Sequence, residues 1–389
     1  MEFINRVAKS SDINEIVSTL TQNCEKNYDL GLLFISHQSP LIVNDLVIAL
    51  KEHVNIKTFI GCTSAGIISS NSEVEDVPAV SLLLAKLPNV NISPFSLTQS
   101  QLEGLSNKKD LYQFLEIFPN EEPVFLIFPD PFLLDMNYFL KILNDAYPQC
   151  PVIGGLASAA NEPRGNTLFL NNENFDEGVI GLILTGNINV MTVVSQGCRP
   201  IGETYIATKT HENVIHELAG KSFIEILKNI LDNASDRDKL LVQESLFVGI
   251  AIDEYKHEYK RGDFLIRGLM GIDQNTGSGI IGDYVKAGQT VQFHVRDAQA
   301  ATEDLNELLI DQQQRSKQVK PKGALIFSCN GRGEGLFREK NHDINIIQGH
   351  VGPIPTGGFF CAGEIGPIGK SNFLHGFTSS IAFFYPKKT

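Results

Sequence analysis

Short runs of apolar residues recur along the chain in a repeated order: strand, amphipathic helix, strand ending in glycine, strand. Three copies cover residues 31–84, 124–184 and 324–384, and a weaker fourth covers residues 245–297. Runs of Val, Ile, Leu and Phe without polar alternation are typical of strands that are covered on both faces. The pattern therefore predicts an α/β fold, a two-domain mixed α/β architecture built from repeated strand, helix, strand, Gly-loop and strand units. We expect the Gly loops to gather around shared crevices.

Helical spacing of apolar residues predicts helices at Leu41–Lys51, Asn137–Ala146, Asn213–Leu231 and Ala298–Leu309. The segment Asp273–Gly279 is interpreted as a turn between strands. We place the division between two domains near residue 210. The predicted parts are an N-terminal helix in residues 1–29, a first α/β domain in residues 30–210 and a second in residues 211–389.

Charge and hydropathy argue against a nucleic-acid-binding protein and against a membrane protein. The chain has 45 acidic and 32 basic residues, a net charge of −13, so its surface repels DNA and RNA. The one basic stretch, Arg315–Lys322, is interpreted as a solvated linker. No apolar run approaches the roughly 18 residues of a membrane span, and the N-terminus lacks the apolar core of a signal peptide. We expect a cytoplasmic protein without membrane insertion. The six cysteines form no CxxC pair, which favours reduced thiols.

Two glycine-broken cysteine loops, Ser328–Gly335 and Gly357–Gly366, follow apolar runs that are typical of buried strands. Ligands of α/β proteins bind beside the carboxyl ends of such strands. The backbone N–H groups of the first loop, together with Arg332, can hold a carboxylate or a phosphate. The alternative is that its three glycines only form a tight turn. The loop lacks the Gly-Lys-Ser/Thr ending of a Walker motif.

The side chains of these loops allow more than one chemistry. Cys329 and Cys361 are nucleophiles or redox sensors if their thiols ionise, with Arg332 and His342 as the nearest cations in sequence. Otherwise they are small buried side chains. The polar residues that accompany them can bind a metal or transfer protons, or be structural: His342, Asp343, Glu364, Asn372 and His375. No spacing supports a metal, and we expect none.

Arginine and histidine near other strand ends are secondary candidates. Asp297 is predicted to cap the helix that follows it. The neighbouring Arg296 either presents a bidentate fork to a ligand carboxylate or pairs with Asp297 or Asp263. Further ligand-binding candidates are Ser64, Arg199, Arg267 and His294.

Several long stretches together resemble the FIST family, the F-box and intracellular signal transduction proteins. The similar stretches are residues 196–202, 264–273, 282–297, 324–337 and 358–377. The phrases at Val291–Asp297, Phe327–Gly333 and Cys361–Pro367 are long and specific. The resemblance covers roughly residues 30 to 385 and divides them into FIST-N and FIST-C regions. We expect a stand-alone member.

The resemblance implies a sensory protein that binds a small ligand, with amino acids as the proposed ligand class. We expect that it is not an enzyme, that its ligand bears a carboxylate, and that it signals through a separate protein. The expected ligand-binding residues are Arg296, Cys329, Asn330, Arg332, Glu334, His342, Cys361, Glu364 and Asn372. Some relatives are haem-binding nitric oxide sensors, for which His294, His342 or His375 is the candidate axial ligand. The other alternative is an enzyme that uses Cys329 or Cys361 with His342.

Overall fold

The computed structural model describes residues 1–39 and 43–387, which form two compact units. Unit 1 comprises Met1–Val194, Asn306–Leu374 and residues 378–387, and unit 2 comprises Ser195–Leu305 and His375–Phe377. The predicted mixed α/β architecture is confirmed. The compact units do not divide near residue 210, because unit 2 is an insertion in the sequence of unit 1.

The first half of the chain contains most of unit 1. Its strands are β1 (Glu2–Ala8), β2 (Asn27–Ser36), β3 (Asn55–Ser64), β4 (Ile67–Ser69), β5 (Glu73–Val74), β6 (Val80–Lys86), β7 (Val90–Leu97), β8 (Val124–Pro129), β9 (Val152–Gly155), β10 (Leu168–Leu170), β11 (Glu173–Phe175), β12 (Val179–Gly186) and β13 (Asn189–Gln196). Its helices are α1 (Ile13–Thr21), α2 (Val43–His53), α3 (Gln99–Glu103), α4 (Lys108–Leu115) and α5 (Met136–Ala146), with a 3₁₀ turn at Pro119–Glu121.

The second half contains unit 2 and then the rest of unit 1. Its strands are β14 (Cys198–His211), β15 (Val214–Leu218), β16 (Lys221–Ser222), β17 (Leu246–Ala251), β18 (Phe264–Asp273), β19 (Ser278–Ile281), β20 (Thr290–Arg296), β21 (Gly323–Cys329), β22 (Thr356–Cys361), β23 (Glu364–Ile368), β24 (Ser371–His375) and β25 (Thr378–Tyr385). Its helices are α6 (Phe223–Asn233), α7 (Asp236–Glu244), α8 (Ala298–Arg315), α9 (Gly333–Phe337) and α10 (His342–Val351).

The predicted repeat is present three times in unit 1, with one strand order. The three sheets contain the orders β1-β6-β2-β3, β7-β12-β8-β9 and β13-β25-β21-β22. In each copy the two central strands are parallel, and a segment containing helix connects them. Their carboxyl ends therefore form three equivalent strand ends.

The copies exchange hairpins cyclically. The β4–β5 hairpin of copy one adds to β22 of copy three, and the β10–β11 hairpin of copy two adds to β3 of copy one. The β23–β24 hairpin of copy three adds to β9 of copy two. Each parallel pair thus has its outer edge paired with another copy. Phe34, Phe128 and Phe327 occupy equivalent positions, and their rings pack together with centroid distances of 5.5 and 5.9 Å for successive pairs.

A glycine marks the second parallel strand of each copy. A Cβ at Gly61, Gly154 or Gly358 would lie 1.8, 1.9 or 1.9 Å from the carbonyl oxygen of the neighbouring parallel strand. The carbonyls belong to Leu33, Ile127 and Ile326, the register partners of the three glycines. Only a residue without a Cβ allows the strands to approach this closely.

Some predicted elements differ from the structure. Residues 1–29 contain β1 before α1, rather than a helix alone. The predicted helix Asn213–Leu231 was wrong in its first part, because residues 214–218 form β15 and the helix starts at Phe223. Ser222 caps it by accepting a hydrogen bond from the Glu225 N–H at 3.3 Å. Of the predicted helix Leu41–Lys51, Leu41 and Ile42 lie outside the described residues, and the remainder is helical.

Unit 2 is a mainly antiparallel structure. Its strands follow the order β14-β20-β17-β18-β19-β15-β16, and β14 also pairs with β15, so six strands form a closed ring. Helix α6 packs its Phe223 against the strands of this ring. The weak fourth copy keeps the strand order of the others, but β17 and β18 are antiparallel because no helix connects them. The described residues contain no helix that is long and apolar enough to cross a membrane.

Candidate functional site

The Gly loops of unit 1 gather at the three strand ends, and they hydrogen-bond to one another. Phe360 N–H donates to Gly66 O at 3.0 Å, Ala362 N–H to Leu156 O at 3.1 Å, and Leu156 N–H to Gly363 O at 2.9 Å. Ser158 Oγ accepts from Ala65 N–H at 2.9 Å and donates to Phe360 O. Ser64 is fully buried, and its hydroxyl donates to Gly66 O at 3.0 Å. These contacts give Ser64 a structural role.

Cys329 and Cys361 are register partners at the ends of β21 and β22. Both are buried, and Asn330 N–H donates to Cys361 O at 2.9 Å, while the Asn330 side chain is exposed. Burial raises the pKa of the Cys361 thiol well above its usual range, and the nearby carboxylate of Glu364 adds to this effect. A thiol with a raised pKa is a poor nucleophile at neutral pH.

Arg332 is buried in unit 1 and forms a bidentate ion pair with Asp343. Its Nε donates to Asp343 Oδ2 at 2.8 Å and its Nη2 to Oδ1 at 2.9 Å, and the side chains are 0% and 3% exposed. Burial opposes ionisation of Asp343, but the charge and hydrogen bonds of Arg332, together with His342, lower its pKa below the usual range. The predicted anion-binding arginine thus holds an internal carboxylate.

His342 and Glu334 extend this ionic cluster in different ways. The His342 ring stacks on Phe337 with a centroid distance of 3.5 Å, and its Nδ1 lies 3.0 Å from Asp343 Oδ1. Glu334 is exposed at the start of α9, where its N–H donates to Glu75 Oε1 at 3.0 Å. The Ile344 N–H in α10 donates to Glu73 Oε1 at 2.8 Å. Two glutamates of the first copy therefore cap two helices of the third copy.

Glu73 gives this cluster a pH dependence. Burial, and then the negative charge of Asp343, raise the pKa of Glu73 from 4.5 to about 8, against the opposing charge of Arg332. Between pH 4.5 and about 8 the folded chain keeps a proton that the unfolded chain releases. This contribution to stability is therefore present in full below pH 4.5 and is lost as the pH rises to about 8.

Replacing Glu73 by glutamine tests this sign. Glutamine keeps a carbonyl acceptor for the Ile344 N–H but does not ionise. We expect the free energy of unfolding of Glu73→Gln, measured in urea, to fall less steeply than that of the native protein between pH 5 and 8. The exposed Glu103→Gln is the control and should leave the slope unchanged. Parallel pH profiles for Glu73→Gln and the native protein would contradict the assignment.

Glu364 and Asn372 make structural hydrogen bonds in unit 1. Glu364 Oε2 accepts from the Thr378 N–H at 3.0 Å and from its hydroxyl at 2.7 Å. Asn372 Nδ2 donates to Asn144 Oδ1 at 2.8 Å, and its Oδ1 accepts from Val152 N–H at 2.8 Å. Among the described residues, no group of three His, Cys, Asp or Glu side chains is arranged to hold a metal ion.

Arg296 of unit 2 has a different environment from Arg332. It is half-buried at the end of β20, and its Cζ lies 5.7 Å from the ring centroid of Phe377. Its Nε and Nη2 are buried, and no hydrogen-bond acceptor among the described residues reaches them. Phe377 is half-buried with a backbone φ of +62°, and its ring packs on Phe247 at 4.1 Å.

The two carboxylates predicted as alternative partners of Arg296 bind other groups. Asp297 accepts from Arg199 Nε at 2.6 Å and from Arg237 Nη2 at 2.9 Å. It also caps α8, as predicted, through the Gln299 N–H at 3.0 Å. Asp263 pairs with Lys256 and accepts from the Lys260 N–H. Structural pairing of Arg296 with Asp297 or Asp263 was therefore wrong.

The other candidates in unit 2 have internal partners. Arg199 contacts Asp238 as well as Asp297, and Arg267 Nε donates to Asp283 at 2.6 Å. His294 is buried, and its Nδ1 lies 3.0 Å from Gln292 O. Burial lowers the pKa of His294 to about 4, so the imidazole is neutral at neutral pH.

Sequence reasoning missed Phe377, Phe337 and Glu73. Phe377 lies at the end of a phrase that was singled out, but an aromatic residue gives no local sign of a left-handed backbone. Glu73 lies about 270 residues from its partner Ile344, so no local spacing relates them. The sequence did offer one signal for Glu73, which is the equivalence of the three Gly loops. The hairpin that follows the first loop pairs with the third copy, and this pairing brings Glu73 to α10.

Two adjoining family models match the sequence of this chain. The chain belongs to the FIST family, since the FIST N domain matches residues 29–221 and the FIST C domain matches residues 224–367. FIST domains are associated with signal transduction and small-ligand sensing. The family predicted from the cysteine loops and the β20 phrase is confirmed.

Relatives occur in mycobacteria. The chain is 38% identical over 340 residues to an uncharacterized protein of Mycobacterium tuberculosis, covering 87% of each chain. It is 36% identical over 341 residues to an uncharacterized protein of Mycobacterium bovis, covering 87% of this chain and 86% of the relative.

Proposed function

We propose that this protein is a cytoplasmic sensor that binds a small carboxylate-bearing ligand at Arg296 of unit 2 and signals through a separate partner protein. The observation that carries the proposal is the buried Nε and Nη2 edge of Arg296. Leaving two donors of a charged group buried without acceptors is costly. A ligand carboxylate satisfies both donors at once.

The ion pair of Arg332 supports this chemistry within the same chain. Arg332 uses the same two nitrogens, Nε and Nη2, to hold the two oxygens of Asp343. This side-on fork is the geometry in which a guanidinium recognises a planar carboxylate. Arg296 offers the same edge. We therefore place the ligand carboxylate beside Arg296 in the same way as Asp343 lies beside Arg332.

Phe377 supports the same location. A bulky side chain at positive φ is uncommon and costs free energy, and such strain concentrates at ligand sites. Its ring lies against the Arg296 guanidinium and fixes the plane of the fork. The neutral His294, also on β20, leaves Arg296 to supply the positive charge of the strand end. A single carboxylate, as in an amino acid, matches this charge.

A thermal-shift screen with the twenty amino acids and small aliphatic carboxylates tests the proposal. We expect at least one compound to raise the Tm of the native protein, because a ligand at 100 times its Kd stabilises the folded state by about 2.7 kcal/mol. Arg296→Gln should abolish the shift. Arg296→Lys should weaken binding by about tenfold or more, because lysine lacks the planar fork.

Arg164→Gln is the matched control, because Arg164 is an exposed arginine of unit 1 paired with Glu177 at 2.6 Å. It should keep the full ligand shift. Retention of the shift in Arg296→Gln, at unchanged Tm without ligand, would exclude Arg296 as the anchor.

The geometry favours this function over the two alternatives. The His294 ring packs so closely on Gly249 that an added Cβ there would lie 2.5 Å from it, and the His342 ring is stacked on Phe337. His375 is 3% exposed. An axial haem ligand needs a ring nitrogen that faces space for the porphyrin, so the burial of all three histidines disfavours this role. The raised pKa of Cys361 disfavours a cysteine nucleophile.

A further inference from the structure

Unit 1 has three edge strands in equivalent positions, and they differ in how they are protected against pairing. The edge strands are β1, β7 and β13. β1 carries Glu2 and Arg6, and β7 carries Pro94. Charges and proline are the usual means of blocking an exposed edge. β13 contains neither, and it has four β-branched residues. Side chains of α8 cover its later part instead, because Asp304 accepts from the Gln196 N–H at 2.8 Å and Arg315 Nη2 donates to Thr192 O at 3.4 Å. The start of β13 is left for a further strand.

The start of β13 lies between two cavities. A cavity of about 320 Å³ is lined by Ile188, Val190 and Thr192. A second, of about 840 Å³, is lined by Asn187 and Met191. Asn189 lines both. When a peptide adds to an edge strand, its alternate side chains point to opposite faces of the sheet. Cavities on both faces of β13 can therefore receive these side chains.

The rims of both cavities are basic. Lys370 and Lys387 line the first, and Arg315, Lys317 and Lys387 line the second. Arg315 pairs with Asp311 at 2.7 Å, so Lys317 and Lys370 carry most of this charge. Glu122 is the one acidic lining residue described for these two cavities, and it pairs with Lys387 at 2.8 Å. The chain as a whole has a net charge of −13. A cationic edge on an acidic protein favours an acidic partner, and it disfavours a second copy, because two such edges would repel each other.

We infer that the start of the β13 edge, between the two cavities, binds an extended, acidic segment of a partner protein as an additional strand of the third sheet. Backbone hydrogen bonds supply the affinity, and the basic rims select acidic residues. The inference extends the proposed function by giving the chemistry of the signalling partner. It uses no residue of the Arg296 site, so the two can fail separately.

The test uses the full chain and two fluorescein-labelled ten-residue peptides, one alternating Asp with Val and the other Lys with Val. We expect saturable anisotropy binding of the acidic peptide only, with slower hydrogen exchange at residues 189–192. Thr192 O accepts from Arg315 Nη2 at 3.4 Å, so the backbone groups of Thr192 face away from β25. Alternate residues of a strand direct their backbone groups to the same side, so those of Val190 also face away from β25. Val190→Pro therefore removes a donor from the free edge, and should abolish binding without breaking the sheet.

A charge reversal gives a second variant that preserves the backbone. Lys317→Glu with Lys370→Glu should weaken binding by about tenfold or more, whereas Lys108→Glu with Lys109→Glu, the same charge change on α4, should have little effect. Failure of the acidic peptide to bind, or binding without protection of residues 189–192, would overturn the inference. A concentration-dependent dimer that Val190→Pro abolishes would assign the edge to a second copy and would also overturn it.

Discussion

Gly358→Ala is expected to destabilise unit 1 by about 3 kcal/mol or more, which is in the upper range for a single substitution. The new methyl group would lie 1.9 Å from the Ile326 carbonyl oxygen, and the backbone has a φ of +156°. Neither atom can move without separating β21 from β22, because they are register partners in the parallel pair. The midpoint of urea unfolding, followed by circular dichroism, measures the loss.

Gly349→Ala is the matched control in the same copy. Gly349 is exposed in α10, and no atom lies within 4 Å of its added Cβ. Alanine there should stabilise the protein by roughly 0.5–1 kcal/mol through its higher helix propensity. Equal unfolding midpoints for Gly358→Ala and the native protein would show that the close approach of the two strands is not required.

Arg332→Met is the second substitution with a large expected effect, a loss of about 3–5 kcal/mol. The methionine leaves Asp343 as a buried carboxylate without its cation, and the side chain of Asp343 is 3% exposed. From the sequence, Arg332 was expected to bind ligand, so that its loss would reduce affinity without unfolding. The structure predicts loss of stability instead, to be measured by urea unfolding at pH 7.

The double variant Arg332→Met, Asp343→Leu separates lost packing from an unpaired charge. Replacing both partners of a buried ion pair by apolar side chains is often nearly neutral. We therefore expect the double variant to be more stable than Arg332→Met alone. The single variant Asp343→Leu completes the comparison. If the double variant loses as much stability as Arg332→Met and Asp343→Leu together, the pair contributes no coupling energy and other contacts hold the cluster.

The repeat could be predicted from the sequence because each copy shows the same local pattern of apolar residues and glycine. Apolar runs followed by glycine, as at Ile60-Gly61 and Ile153-Gly154, report both the strand and its close neighbour. The cyclic exchange of hairpins could not be predicted. β4 has three residues and pairs with β22, which lies nearly 290 residues later in the chain. Such short strands carry no period that distinguishes them from turns.

The error at residues 214–218 has a physical reason. Val214, Ile215 and Leu218 have the spacing of one helix face, but Ile215 and Val214 pair with residues of β19. Burial of Ile215 and Leu218 within unit 2 then outweighs the weak local preference. The adjacent Ser222 cap shows where the helical pattern takes over.

The candidate site shows the same limit. The sequence indicated that Arg296 and Arg332 were both suited to bind a carboxylate, and their local contexts did not rank them. The structure separates them, because Arg332 reaches Asp343 in the first turn of α10, whereas Asp297 accepts from Arg199 and Arg237 instead of Arg296. Competition between arginines for one carboxylate depends on residues from distant parts of the chain.

The NMR signal of the Arg296 Nε–H group, in protein labelled with ¹⁵N-arginine, reports ligand binding at this side chain directly. Its resonance is assigned by its loss in Arg296→Lys, and it is followed while the amino acids and small carboxylates of the thermal-shift screen are added. We expect a saturable shift and slowed exchange of this resonance with the ligand that raises the Tm, because the ligand carboxylate accepts a hydrogen bond from the Nε–H group. An Arg296 resonance that stays unchanged at a saturating concentration of that ligand would show that the ligand does not bind at Arg296.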